Sequence, residues 1–424
     1  MAHWTRRRLG LAAASVAAGL AMPNIARAQS RARAVIVGGG AGGASAARHI
    51  AAVARGSIDV TLVEAGERYT TCFLSNHYLG GLRSFESITH GYERLQSEYG
   101  VVKITGRAVA VDRDAQTVRL SDGAVLPYDR LILSPGVELI FDSVPGYSRD
   151  AALIAPHAWQ GGDQARLLKR KFDALENGQD VLIVPPTNPY RCPPAPYERA
   201  SIFAHVLKSR GFTDSRVIIL DTKEKFAKQG LFQPGWEGYF PGMVEWIGVD
   251  MHGGVLEVDA AAGTVTTDLD IFEGALLNII PAQRAGAIAQ SSGLADAGGY
   301  CPVDADSMRS RLDSNIFVIG DSADGDDLPK SAYAANSQAQ VAALNLLGDL
   351  AGTPAAPAHY ANTCWSMIRP GESVMEGGEY AARDGRIADV RSFISQPGED
   401  AAVRLANFND SLAWYDMITT DMFG

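Results

Sequence analysis

Apolar residues in this chain gather in short unbroken runs separated by glycine, proline and aspartate. Val35-Ile36-Val37, the stretch 58–63, Leu131-Ile132-Leu133, 181–184, 217–220 and Ile316-Phe317-Val318-Ile319 are too short for helices and rich in β-branched residues. Such runs read as buried strands. Turns at Asp112-Arg113-Asp114 and Ser121-Asp122-Gly123 divide the region 101–120 into further short strands. Between the runs lie helical stretches, among them the small residues after Gly43 and the segment 197–209. Strands alternating with helices make βαβ units, so the pattern predicts an α/β fold.

The first strand runs into Gly38-x-Gly40-x-x-Gly43, and a helix opens directly behind it. In that context Gly38 allows a tight turn, Gly40 lets the backbone approach a phosphate, and Gly43 lets helix and strand pack closely, so the loop reads as a dinucleotide cradle. Glu64 follows the next strand, 58–63, about 20 residues beyond the last glycine, and is placed for a ribose hydroxyl. Tyr128 to Gly136 is a buried strand stopped by Ser134-Pro135-Gly136. It resembles the segment that returns towards the cofactor in flavoproteins with two dinucleotide-binding domains, although an ordinary strand end has the same pattern. Far downstream another buried strand delivers Gly320 and Asp321, a carboxylate suited to a ribityl chain. Paired with the glycine loop, it predicts FAD as the cofactor; the pairing resembles that of FAD-dependent oxidoreductases, which implies both strands in one sheet and a second domain inserted between them.

The inserted region predicts a second βαβ unit, but its turn is Pro185-Pro186-Thr187-Asn188-Pro189, with three prolines and no glycine. Such a loop lacks the backbone donors and the closeness that a pyrophosphate needs, so no nicotinamide nucleotide is expected there. The same loop carries Cys192, with Glu198 near the start of the following helix. At that junction Cys192 is either a thiol of lowered pKa, and hence a usable thiolate, or a structural disulfide or inert thiol.

Composition narrows the classes. The chain has 424 residues, 46% of them hydrophobic, enough for two or three domains with real cores, and a net charge of −10 that disfavours nucleic acid as a partner. Arg6-Arg7-Arg8 precedes an apolar run over 9–22 and then Ala26-Arg27-Ala28, the form of a twin-arginine export signal. Its 14 apolar and small residues are too few for a membrane span of about 20. A periplasmic location is therefore expected, and there the four cysteines, Cys72, Cys192, Cys301 and Cys364, have three possible full pairings. None of them lies in a haem-attachment C-x-x-C-H or a zinc-type C-x-x-C, so no metal site is expected.

Several stretches together resemble the flavoprotein subunit of flavocytochrome c sulfide dehydrogenase. They are the twin-arginine signal, Thr70-Thr71-Cys72-Phe73-Leu74, the proline-rich Cys192 loop, Gly299-Tyr300-Cys301-Pro302, and Pro329-Lys330-Ser331-Ala332-Tyr333. The resemblance implies a disulfide-reductase-like flavoprotein with two dinucleotide-binding domains. Residues 31–148 and 270–353 would form the FAD-binding domain, 149–269 the second Rossmann-like domain, and 354–424 a C-terminal interface domain behind the signal of 1–30. It implies FAD bound covalently through Cys72, with Lys330 also at the cofactor, a redox-active disulfide between Cys192 and Cys364, and Glu198 as an acid beside it. Cys301 carries no implied redox role and reads as a packed thiol. Hydrosulfide would open the disulfide to a persulfide and a thiolate, and the electron pair would pass through the flavin to a separate c-type cytochrome subunit. Trp414 lies in the C-terminal segment, where an aromatic residue serves either the core or an electron path. The alternatives are a sulfide:quinone oxidoreductase, an NAD(P)H-dependent disulfide reductase, and a periplasmic electron-transfer protein with a structural flavin. From residue 401 onward the chain has one arginine, no lysine and three aspartates, a poor surface for docking on a membrane.

Overall fold

Two parallel sheets, each made from the short apolar runs, hold the chain in register. The computed structural model describes residues 31–354 and 357–424, and the expected export signal, residues 1–30, lies outside the described residues. Strand β1 (Ala32–Val37) feeds helix α1 (Ala41–Ala54), followed by β2 (Ile58–Glu64), β3 (Val102–Thr105) and β4 (Arg130–Leu133). The next block holds β5 (Val181–Val184), α2 (Ala195–Ser209), β6 (Val217–Leu220), β7 (Val244–Ile247) and β8 (Leu276–Ile279). The chain then returns through β9 (Ile316–Val318) and α3 (Ala332–Ala351), and ends in β10 (His359–Arg369), β11 (Glu372–Arg383), β12 (Arg386–Ile394) and α4 (Ala401–Phe423).

The first sheet has the order β9-β4-β1-β2-β3, all parallel, so the late strand that delivers Gly320 lies two places from the strand that delivers Gly38. Ile36, Leu62, Leu131, Ile132, Leu133, Phe317 and Val318 are fully or almost fully buried, as expected for strands covered on both faces. The second sheet, β7-β6-β5-β8, is also parallel. Here a correction is needed. The boundary expected between residues 269 and 270 falls after Ile279, because β8 pairs with β5 along Val181 to Val184 and buries Leu276 and Ile279 in the second block. An apolar run marks a strand, but it does not say which of two sheets will take it.

The segment expected to be an interface domain forms a wall of the site. It is an antiparallel sheet, β10-β11-β12, with α4 packed on β11 and along α1, while α3 packs on both α1 and β10. The far end of α4 is fastened. Asp421 accepts from Arg48 (2.7 Å) and Asn336 (2.5 Å), and the Phe423 ring stacks on His90 with centroids 5.0 Å apart.

Candidate active site

The N-termini of α1 and α3 face one cavity, which the Gly320 turn also lines. Gly40 caps α1, and Gly40, Ala41 and Gly42 line the cavity wall opposite Gly136, Gly320 and the first turn of α3. First-turn N–H groups have no partner within their own helix, so two helices offer donors and positive dipole ends to an anionic ligand. The glycines are required sterically. A Cβ on Gly43 would lie 1.8 Å from the Gly38 carbonyl oxygen, and one on Gly38, where φ is +98°, would lie 2.2 Å from the Ser134 oxygen. Glu64, last residue of β2, accepts from Gly39 N–H at 2.7 Å and Gly66 N–H at 3.1 Å, holding the loop from behind. Ser331 caps α3 by accepting from Ala334 N–H at 3.0 Å.

Into this cavity the fold brings Cys72, Cys192, Cys364, Glu198 and Asp321, which come from four separate stretches of chain, Cys192 and Glu198 sharing one. The residues present fit FAD. Two helix N-termini and glycine-only approaches face the cavity, and two lining residues, Trp159 and Trp365, carry buried indole N–H groups with no partner, donors that a flavin's polar edge would satisfy. Asp321 ion-pairs with Arg191 at 3.6 Å, and Arg191 also donates to the Trp159 carbonyl. Burial works against the Arg191 charge, but neighbouring Cys72 and Asp321 more than offset it.

Cys192 sits in the left-handed region with φ of +52°, rare for a residue with a side chain. Its N–H donates to the Lys330 carbonyl (2.8 Å) and its carbonyl accepts from Ala195 N–H (3.0 Å), which locks the turn onto the start of α2. The expected lowering of its pKa is not found. Burial pushes the Cys192 thiol well up, and the nearby Cys364 and Glu198 add to this, outweighing the helix end. Cys364, on β10, is likewise pushed up by burial, with Lys228 and then Asn362 pulling it down. All four cysteines are free thiols, so no bond joins Cys192 and Cys364 here. Cys301 is buried in the first core, its thiol pushed up to about 12 by burial.

Lys330 is a second correction. It does not line the cavity. Its ammonium lies 3.8 Å from the centre of the Tyr300 ring and donates to the Ala323 carbonyl (2.6 Å), so what it lends the site is the backbone oxygen under Cys192. Glu198 stands in the first turn of α2 with both oxygens engaged, Oε1 by Met367 N–H at 2.9 Å and Oε2 by Asn76 Nδ2 at 2.7 Å. Burial raises its pKa. Arg199, 2% exposed, fixes this corner by donating to Asn76 Oδ1 (3.1 Å), Asn278 Oδ1 (2.7 Å) and the carbonyls of His157 and Ala158. Trp414 lines the cavity, stacked on Tyr333 with centroids 5.9 Å apart and against Trp365 at 5.7 Å.

Asn76, Arg191, Arg199, Lys228 and Asn362 escaped the sequence reading. Arg191 adjoins Cys192 and is the one that a local signal could have found. Lys228 ends Lys-Glu-Lys-Phe-Ala-Lys, which reads as a solvated run. In the second block, the carboxylate after β6 is already taken. Asp221 accepts from Tyr197 (2.6 Å) and Trp246 (2.8 Å) and pairs with Lys223 (2.6 Å), whose ammonium also bonds the Pro186 carbonyl (2.9 Å). The position that serves a ribose in dinucleotide folds is thus filled by the protein's own side chains.

Comparison with known proteins agrees with this geometry. Residues 165–281 match the family described as sulfide dehydrogenase [flavocytochrome c] flavoprotein chain, central. Residues 356–423 match flavocytochrome c sulphide dehydrogenase, flavin-binding, and 32–184 match pyridine nucleotide-disulphide oxidoreductase. The mitochondrial sulfide:quinone oxidoreductase of Dictyostelium discoideum is 24% identical over 337 residues, covering 76% of this chain and 71% of that protein. A sulfide-quinone reductase of Aquifex aeolicus (strain VF5) is 25% identical over 213 residues, covering 50% and 47% respectively. In fold the chain is similar to the solved sulfide:quinone oxidoreductase of Aquifex aeolicus, with a TM-score of 0.70 at 16% identity over 92% of this chain and 91% of that one.

Proposed function

We propose that this chain, whose residues 165–281 and 356–423 match the central and flavin-binding modules of the flavocytochrome c sulfide dehydrogenase flavoprotein chain, oxidises hydrosulfide in the periplasm and passes the electrons to a separate c-type cytochrome subunit. The observation that carries the reading is the convergence of Cys72, Cys192, Cys364 and Glu198 on the cavity that holds the two helix N-termini. Residues 1–30 would take the protein out by the twin-arginine route. Gly40, Ala41, Gly42, Gly136, Gly320, Asp321 and the start of α3 would hold FAD, with Cys72 bonded to its ring system. When bound, FAD supplies an acceptor that takes electrons in pairs and releases them singly, which links a two-electron donor to a one-electron haem.

The protein's own groups handle the sulfur. In the oxidised pair, hydrosulfide attacks one cysteine sulfur, a new S–S bond forms, the Cys192–Cys364 bond breaks, and its electron pair leaves on the other sulfur as a thiolate. Glu198, whose pKa is raised by burial, is held by Met367 N–H and Asn76 within the same cavity and accepts the sulfhydryl proton.

A second reading takes a quinone as acceptor, favoured by the sulfide:quinone oxidoreductases among the relatives. No helix of the described residues is long and apolar enough to cross a membrane. Purified holoprotein, alone and with its cytochrome subunit, should be offered hydrosulfide with cytochrome c or with a short-chain quinone. Sulfide-dependent reduction of cytochrome c at the higher kcat/KM supports the proposal, and a preference for quinone overturns it.

A further inference from the structure

Lys228 reaches the cysteine pair from the loop before the helix Gln229–Tyr239, where its φ of +64° is a left-handed value seldom taken by a residue with a side chain. Its carbonyl accepts from Leu231 N–H (2.8 Å) and Phe232 N–H (3.0 Å), which secures that backbone. The residue is 6% exposed, and its ammonium donates to the Cys364 carbonyl and to Ser366 Oγ at 3.0 Å, both on β10. Both acceptors are neutral, and an ammonium withdrawn from water onto neutral acceptors is poorly compensated. The ionisable groups around it are Cys364 and, directly opposite on β11, Glu376, together with Cys192 from the loop and Glu198 from α2. The Glu198 oxygens are spent on Met367 N–H and Asn76. Neither Glu376 nor Glu198 makes an ion pair with the ammonium, so the charge placed to meet it is the thiolate that the reaction makes on Cys364, whose own carbonyl the ammonium holds.

We propose that Lys228 is a positioning residue for disulfide opening: it pins the Cys364 segment beside Cys192 and sets a buried positive charge against the thiolate that the step releases. The inference rests on the reading of Cys192 and Cys364 as the sulfur-handling pair. The step conserves charge. Hydrosulfide brings one negative charge in, the persulfide forms on Cys192, and the charge reappears on the sulfur of Cys364, the residue whose carbonyl the ammonium holds. Asn362 completes the clamp from the far side, its side chain 3.6 Å from Cys364 Sγ and accepting from Ser331 Oγ at 2.6 Å, so the residue that caps α3 is tied to the same sulfur. Burial pushes the Cys364 thiol up, and Lys228 is the foremost group pulling it back.

The test is peptide-resolved alkylation of full-length holoprotein, reduced with excess phosphine and treated with iodoacetamide across pH. In K228M and K228Q the Cys364 profile should move up by about one pH unit, so that alkylation below the midpoint is roughly tenfold slower, while K228R restores it. Buried Cys301 serves as the internal control. A Cys364 profile in K228Q that coincides with wild type overturns the proposal. If K228M fails to fold, K228Q decides, because it keeps a donor for both acceptors and loses only the charge. Full sulfide-driven flavin bleaching in C364S would instead overturn the reading of the pair, whatever the alkylation profile.

Discussion

Replacing Glu198 by glutamine separates the chemical role of that carboxylate from its structural one. Two fixed donors meet it, Met367 N–H and Asn76 Nδ2. Asn76 cannot turn its amide over, because Oδ1 accepts from Arg199 Nε at 3.1 Å and Nδ2 also donates to the Ala195 carbonyl at 3.1 Å. A glutamine oxygen can satisfy one donor, and its NH2 then opposes the other. An unpaired buried donor costs about 1–3 kcal/mol of stability. Loss of a general base costs about 100- to 10,000-fold in rate, or roughly 3–5 kcal/mol at about 1.4 kcal/mol per decade. The rate loss should therefore exceed anything the local packing explains. The assay is anaerobic stopped-flow bleaching of the flavin by hydrosulfide as a function of pH. Wild type should lose rate as pH falls through the raised Glu198 pKa, and E198Q should be slow throughout without that limb. Stability runs the opposite way with pH. With the folded pKa above the unfolded value of about 4.3, the carboxyl contributes fully below that value, and the contribution is lost as pH rises through the folded one, a slope that E198Q should abolish. An E198Q protein that bleaches within threefold of wild type, with the acid limb intact, would refute the reasoning.

Acid-precipitated wild-type protein should retain its flavin on the peptide containing Cys72, and Cys72→Ser should release it to the supernatant. Free FAD from the wild type would remove the covalent link. Gly43→Ala puts a Cβ 1.8 Å from the Gly38 oxygen, and with backbone on both sides the loop must open. The variant should lose most of its flavin and about 1–3 kcal/mol of stability, read by flavin content and thermal melting, and a fully loaded, equally stable variant would show that the cradle lies elsewhere.

What the sequence made legible was local in origin. The glycine loop, the short apolar strands and the Gly320-Asp321 turn each announce themselves within a few residues, because strand periodicity and left-handed turns are decided by neighbours in the chain. Cys192 was found for the same reason, at a proline-rich loop before a helix. Its raised pKa was not legible, since it follows from burial beside Cys364, Glu198 and Cys72, which only the tertiary fold assembles. Lys330 misled because a lysine in a telling motif was taken to point at the cofactor, whereas its stem runs to Tyr300 and its backbone does the work. Lys228, in a run of charges, gave no signal at all until β10 was laid over it. The C-terminal segment shows the same limit: Cys364 reached the site reading only through the family resemblance, Trp414 stayed open between core and electron path, and nothing local reveals that Trp365 faces the cavity.

The central claim is that Cys192 and Cys364 carry the electrons from sulfide. It is tested most directly by adding one equivalent of hydrosulfide, without oxygen, to oxidised holoprotein and following the flavin absorbance in wild type and in Cys192→Ser at equal flavin content. Wild type should bleach within the mixing experiment and the variant should not bleach at all. A Cys192→Ser protein that bleaches at the wild-type rate would contradict the account.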